Sequence, residues 1–151
     1  MDPLELEFAV ACDPVRAFSL WAEQTTRWWP HGHSVSAEPG LTVTFERHAG
    51  GRIYERTPGG AEHEWGEVLV WEPPHRVVLA WRLTADYAYD QTINTEVEVR
   101  FLAEDGERTR VELEHRGFDA YGDRTAEMRD TFGSDSGWGG LLRRFADTAA
   151  A

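Results

Sequence analysis

Six short segments between Leu41 and His115 alternate apolar and polar residues with a period of two, which is the spacing of a strand with one buried face. Tight turns separate the segments, among them Gly50-Gly51 and Pro58-Gly59-Gly60. Strands joined by such short turns must pair antiparallel, because a parallel pair needs a crossover of a dozen or more residues. The sequence therefore predicts a continuous antiparallel sheet as the body of the fold.

A further strand and two short helices are predicted before this run. Leu4 to Val10 alternates in the same way, and Asp13-Pro14 then supplies a helix cap followed by a residue suited to a first helical turn. A second short helix is predicted over Glu23 to Trp28, and Pro30 is expected to end it.

One apolar stripe near the carboxyl end predicts an amphipathic helix. Its members recur at positions i, i+3, i+4, i+7 and i+11: Trp138, Leu141, Leu142, Phe145 and Ala149. Thr84 to Asn94 has no clear period and is predicted to be a loop. These patterns together predict an α+β fold in which about seven strands curve around a long C-terminal helix, with two short helices after strand 1. Such a sheet encloses more space than one helix fills, which favours a cavity.

Composition narrows the class of protein. The 151 residues are predicted to be a single domain, 1–151, large enough to bury a core. A net charge of -12 opposes binding to nucleic acid and to anionic membrane surfaces. Cys12 is the only cysteine, which excludes an intrachain disulfide. Because no signal-peptide pattern and no membrane-spanning apolar run occur, we expect a soluble, cytoplasmic protein.

Several local motifs occur in an order that resembles one known group. They are, along the chain, Trp28-Trp29-Pro30 with His33-Ser34, Gly50 to Arg56, Glu62 to Val68, Trp71 to Pro74, Trp81, Glu96 to Phe101, Thr109 to Phe118 and Gly137-Trp138. The sequence is similar to the SRPBCC (START/birch-pollen-allergen-like) superfamily, and within it to bacterial homologues of the C-terminal domain of the activator of heat-shock-protein-90 ATPase. The resemblance covers nearly the whole chain. It implies the helix-grip fold, a seven-stranded antiparallel sheet around a long C-terminal helix.

The function that this resemblance implies is broad, because the superfamily carries lipid carriers, aromatic-ring cyclases, hormone receptors and co-chaperone domains on one scaffold. The eukaryotic co-chaperone needs an additional N-terminal domain, for which 151 residues are expected to leave no room. The leading hypothesis is a protein that binds a small apolar or aromatic molecule in an internal cavity. No cofactor, no metal and no firm catalytic activity are expected.

Two other hypotheses stay open. A protein-interaction module that assists a chaperone, or that forms a homodimer, would have a filled interior and an exposed apolar patch. A cyclase-like or hydrolase-like enzyme would bring polar groups such as His115 and Glu67 within hydrogen-bond reach of each other. The ligand-binding hypothesis instead predicts a large, partly dry pocket.

Five of the seven tryptophans provide most of the candidate site, because each ring offers a flat apolar surface with one N–H group. Filling the core is the alternative role for each of them. Trp28 and Trp29 are adjacent and cannot both point inward from a helix, so one of them is expected at a mouth or at the surface. Trp81 and Trp138 are expected to bracket the pocket. The candidate ligand-binding residues are Trp28, Trp29, Tyr54, Trp65, Glu67, Trp81, His115 and Trp138.

Three polar positions leave alternatives open. Glu67 is a carboxylate among apolar groups if it faces inward with Trp65, and a solvated residue if it faces outward. His115 follows the helix-facing side of its strand and is a ligand-binding or acid–base group, or else a satisfied core histidine. His31-Gly32-His33 is a weak metal pair, since no third ligand is clustered with it.

Overall fold

A computed structural model describes residues 2–30, 32–105 and 107–151 of the chain. Seven strands form an antiparallel sheet: β1 Leu4–Val10, β2 Thr42–Phe45, β3 Arg52–Arg56, β4 Glu62–Glu72, β5 Arg76–Trp81, β6 Thr95–Glu104 and β7 Arg108–Arg116. Their order is β1-β7-β6-β5-β4-β3-β2, so that β2 to β7 pair in sequence order and β1 pairs with β7. The predicted antiparallel sheet and its hairpins are confirmed.

The helical segments lie where the sequence predicts them but are less regular. Helix α1, Pro14–Phe18, begins after Asp13, whose side chain accepts a hydrogen bond from the backbone N–H of Arg16 at 2.9 Å. It continues as a π-helical turn, Ser19–Glu23, and a 3-10 turn, Thr25–Arg27. The second short helix is therefore shorter than predicted and ends before Trp28.

The C-terminal helical region runs from Phe118 to Ala150 and is broken twice. A 3-10 helix, Phe118–Arg124, leads into α2, Thr125–Gly133, and α3 follows as Trp138–Ala150. The turn between α2 and α3 requires glycine, because a Cβ on Gly137 would lie 2.3 Å from the carbonyl oxygen of Phe132. The sheet and this helical region together confirm the helix-grip fold.

The core lies between the inner face of the sheet and α3. All five residues of the predicted stripe on α3 are buried. On β5, Val77, Leu79 and Trp81 face this core, whereas Val78 and Ala80 alternate with them on the outer face.

A bulge in β4 changes which of its residues share a face. Ile53 of β3 pairs with Gly66 and Tyr54 pairs with Glu64, so that Trp65 is the extra residue. A Cβ on Gly66 would lie 1.8 Å from the carbonyl oxygen of Ala80, which is why this position has no side chain. As a result Trp65 faces the core and Glu67 does not, although their spacing in the sequence puts them on one face.

Arginine and glutamate side chains cover the outer face of the sheet. Glu98 lies at its centre with 8% of its surface exposed, and it accepts hydrogen bonds from Arg76 and Arg116 at 2.9 Å. Burial raises the pKa of the Glu98 carboxyl, but these arginines, together with Arg100, outweigh it and hold the pKa below its ordinary value. The outer face is therefore a layer of mutually neutralised charges.

Candidate functional site: an aromatic interior

Four of the predicted site residues meet between the sheet and α3. The ring of Trp81 lies 5.1 Å from that of Trp138, 5.8 Å from that of Trp65 and 6.2 Å from that of Trp29, measured between centroids. All four rings are buried, and their separations are those of tilted and edge-on aromatic contacts. Trp29, Trp65, Trp81 and Trp138 are called the indole cluster below.

Trp28 and Trp29 are both buried, so the prediction that one of them lies at a mouth or at the surface is wrong. The 3-10 turn ends at Arg27, and both residues lie beyond it, where the helical separation of neighbouring side chains no longer applies. Trp28 donates its N–H to the carbonyl of Leu20 at 3.0 Å and packs against Phe145. Trp29 donates to the carbonyl of His33 at 2.6 Å.

His115 is fully buried beneath the cluster in a chain of satisfied hydrogen bonds. Its Nδ1 accepts from the indole N–H of Trp138 at 3.0 Å, so the ring proton resides on Nε2, which lies 2.9 Å from the hydroxyl oxygen of Thr95. That hydroxyl in turn donates to the carbonyl of Trp81 at 2.6 Å. Burial lowers the pKa of His115 to about 3, so the ring is neutral at physiological pH. This arrangement is that of a satisfied core histidine.

Tyr54 and Glu67 are not brought together with the indoles. Both alternate with core residues on the outer side of the sheet, where the guanidinium carbon of Arg52 lies 4.2 Å from the centre of the Tyr54 ring. Glu67 pairs across the strands with Arg52 and Ala80. His115 and Glu67 are therefore on opposite faces of the sheet and do not form an acid–base pair.

Glu55 is a site residue that the sequence did not single out. It is fully buried on β3 and accepts hydrogen bonds from the indole of Trp65 at 2.7 Å and from the backbone N–H groups of Val35 and Ser36 at 2.6 and 3.0 Å. Burial raises the pKa of the Glu55 carboxyl, but a hydrogen bond from the Ser36 side chain, together with these three, outweighs it and holds the pKa below the ordinary value of a glutamate. An ionised Glu55 thus ties the Ser34–Ser36 segment to the indole cluster.

The large pocket predicted between sheet and helix is not confirmed, because the indoles fill this space. A small cavity lies beside Trp81, Tyr87, Phe132 and Trp138, with the exposed Ser136 at its edge, and about 10 Å³ of it is open to the centre of a water molecule. That is room for about one water. Depressions of 220 to 550 Å³ occur elsewhere, but they are open to solvent on the surface.

Trp81 contributes an unpaired polar group to this region. Its side chain lines the small cavity, and its buried indole N–H has no hydrogen-bond acceptor among the residues described. A buried donor without an acceptor costs about 1–3 kcal/mol. Such a group is a natural point of attachment for an acceptor on a bound molecule.

Two side chains close the interior on the side of the loop that follows β5. The rings of His33 and Tyr87 lie 5.6 Å apart, and Tyr87 also lies 6.2 Å from Trp65. Tyr87 has a φ of 61°, a left-handed conformation that is unfavourable for a residue with a side chain. Burial, with a smaller contribution from Arg144, lowers the pKa of His33.

Metal-ligating clusters and membrane-spanning helices are both absent from the described ranges. No group of three metal-ligating side chains occurs there, and His31 of the candidate metal pair lies outside them. None of the helices in the described part of the chain is long and apolar enough to span a bilayer.

The architecture and the interior define an α+β helix-grip domain of the SRPBCC type. The family model described as "Activator of Hsp90 ATPase homolog 1-like protein" matches residues 12–150, and the chain belongs to this family. No curated protein matches the sequence.

Three solved structures illustrate the range of proteins that share the fold. An anthrahydroquino-gama-pyrone synthase, Txn09, solved as a complex with SUM, is 30% identical, with 97% of this chain and 96% of that chain covered and a TM-score of 0.65. CalC, a self-sacrificing resistance protein from Micromonospora echinospora, is 29% identical, with 97% and 93% covered and a TM-score of 0.71. The Aha1 dimer from Colwellia psychrerythraea is 14% identical, with 99% and 96% covered and a TM-score of 0.66, and it shows the fold alone.

Proposed function

We propose that this protein binds a flat aromatic small molecule within the indole cluster. The observation that carries the proposal is the buried N–H of Trp81, which finds no acceptor among the described residues, while Trp81 lines the small cavity beside Trp138. A ligand carbonyl or ether oxygen would satisfy this donor, and the surrounding indoles would stack on the ligand's rings. The ligand class is therefore aromatic, with at least one hydrogen-bond acceptor at its edge.

The similar structures support the same class of ligand. The synthase that is 30% identical to this chain is named for a pyrone product and was solved with a bound molecule. If this chain shares that behaviour, its interior receives a fused-ring compound that carries oxygen acceptors.

The other two hypotheses find less support in the described residues. Val15 and Tyr89 are the exposed large apolar side chains there, and they lie on separate elements, α1 and the loop after β5, rather than in one patch. His115 and Glu67, the polar pair expected of an enzyme, lie on opposite faces of the sheet. A chaperone partner and a homodimer remain hypotheses drawn from the family resemblance.

Calorimetric titration with chromone tests the proposal. Chromone is a flat bicyclic compound with one carbonyl acceptor, and naphthalene has a similar shape without it. We expect chromone to bind at least tenfold more tightly than naphthalene, and Trp81→Phe to remove most of that difference. Trp21→Phe is the matched control, because the N–H of Trp21 is also buried and without an acceptor in the described residues but lies outside the indole cluster. Absence of chromone binding, or equal loss in both variants, would contradict the proposal.

A further inference from the structure

The small cavity beside Trp81 cannot hold the ligand proposed above unless a side chain moves. Pockets for organic ligands measure about 300–1,000 Å³, whereas about 10 Å³ beside Trp81 is open to a water centre. Because protein interiors are close-packed, a ligand of this size finds room only if a whole side chain moves out of the interior.

Trp29 differs from the other members of the indole cluster in its attachment. Trp65 belongs to β4, Trp81 to β5 and Trp138 to α3, so these three rings belong to the walls of the interior. Trp29 lies outside all strands and helices, two residues after the 3-10 turn that ends at Arg27. Its ring nevertheless contacts all three walls, at 5.1 Å from Trp65 and 6.2 Å from both Trp81 and Trp138.

The backbone is fixed at Trp29, whose N–H donates to the carbonyl of Thr25 at 3.0 Å, and on both sides of it, so that only the Trp29 side chain can leave the interior. Before it, Trp28 is held through its N–H to Leu20 and through its carbonyl, which accepts from Arg144 at 3.0 Å. After it, the backbone N–H groups of Val35 and Ser36 are held by the buried carboxylate of Glu55. The Trp29 side chain donates its hydrogen bond to the carbonyl of His33, which lies between the segments held by Arg144 and by Glu55.

We infer that Trp29 is an internal plug, whose indole occupies the ligand position and is displaced when a ligand enters. This inference rests on the proposed function. The incoming molecule replaces Trp29 in its contacts with Trp65, Trp81 and Trp138, so it must be flat and about the size of an indole or somewhat larger. It also supplies Trp81 with an acceptor, which the Trp29 ring, as a donor only, cannot provide. The displacement therefore replaces the Trp29 ring by an aromatic ligand that also accepts a hydrogen bond from the buried N–H of Trp81.

Chromone binding to Trp29→Ala separates this inference from the proposed function. Removal of the plug should tighten chromone binding at least tenfold relative to the wild type, since no side chain then has to leave the site. Trp21→Ala is the matched control: it removes an equally buried indole that packs against Trp28 and Phe45, and it should leave chromone affinity within threefold of the wild type.

The possible results point in different directions. If the wild type binds chromone and Trp29→Ala binds it equally or more weakly, Trp29 is a wall of the site, and the plug is overturned while the proposed function stands. Equal tightening in Trp21→Ala also overturns the plug, because any indole-sized hole would then suffice. If neither the wild type nor Trp29→Ala binds chromone, the proposed function fails.

A second measurement uses the wild-type sequence and does not depend on the stability of Trp29→Ala. Protein labelled with 5-fluorotryptophan gives a ¹⁹F signal for Trp29, assigned by its loss in Trp29→Phe. At saturating chromone this signal should gain the H2O/D2O isotope shift of a solvent-exposed indole, while the Trp28 signal does not. A Trp29 signal that stays protected while chromone is bound would overturn the plug.

Discussion

The indole N–H of Trp138 donates to Nδ1 of His115 over 3.0 Å, and this contact joins α3 to β7 inside the core. Because the bond requires an unprotonated Nδ1, it holds His115 in its neutral form. The sequence left two roles open for this histidine, an acid–base group or a core residue. The structure makes His115 a structural link between sheet and helix.

Protein stability should fall with decreasing pH because of His115. Its pKa is about 3 in the folded state and about 6.5 in the unfolded chain, so below pH 6.5 the unfolded state binds one more proton. The free energy of unfolding should therefore drop as the pH falls through 6.5, with a slope that approaches about 1.4 kcal/mol per pH unit once the unfolded-state histidine is fully protonated. Urea denaturation between pH 6.5 and 5.0 measures this slope above the range in which most carboxylates titrate. His115→Gln should flatten it, and an unchanged slope would show that His115 is not buried and neutral.

Glu55→Gln should destabilise the protein by about 3 kcal/mol. The carboxylate accepts three N–H donors, and a glutamine would turn its own NH2 group toward at least one of them. Chemical denaturation at pH 7 measures the loss. Glu64→Gln is the control, because Glu64 is a partly exposed ion-pair partner of Arg52, and its substitution should cost less than about 1 kcal/mol. Similar losses in both variants would mean that the buried carboxylate of Glu55 does not hold Val35, Ser36 and Trp65 together as described above.

Phe145→Ala should cost about 3–5 kcal/mol of stability. Phe145 lies at the centre of the buried stripe of α3, fully enclosed, with its ring 5.4 Å from that of Trp28. Val15→Ala, at a side chain that is 66% exposed, should change stability by less than about 0.5 kcal/mol. A loss below about 1 kcal/mol for Phe145→Ala in urea denaturation would show that α3 does not pack as described.

The sequence predicted the fold well because its strongest signals are periodic. The alternation from Leu41 to His115 and the stripe ending at Ala149 each specify one buried face, and each face is buried in the structure. Such patterns depend only on the spacing of residues along the chain, so they can be read from the sequence without knowledge of tertiary contacts.

The site was predicted less completely, because its decisive features are irregular. The bulge at Trp65 moves Glu67 to the outer face, and alternation alone cannot show where an extra residue enters a strand. Glu55 was missed because its partners Val35 and Ser36 are some twenty residues away in sequence and donate from the backbone. The one available signal was its position between Ile53 and Thr57, where a buried alternation places a carboxylate in the core.

The most direct test of the central claim is the indole N–H region of a ¹⁵N–¹H NMR spectrum during titration with chromone. The sequence contains seven tryptophans, and the Trp81 signal is assigned by its loss in Trp81→Phe. Addition of chromone should move the Trp81 N–H proton signal downfield more than any other indole signal, because this N–H gains a carbonyl acceptor. Naphthalene has no acceptor and should not move the Trp81 signal downfield. Bound chromone together with an unmoved Trp81 signal would contradict a ligand site in the indole cluster.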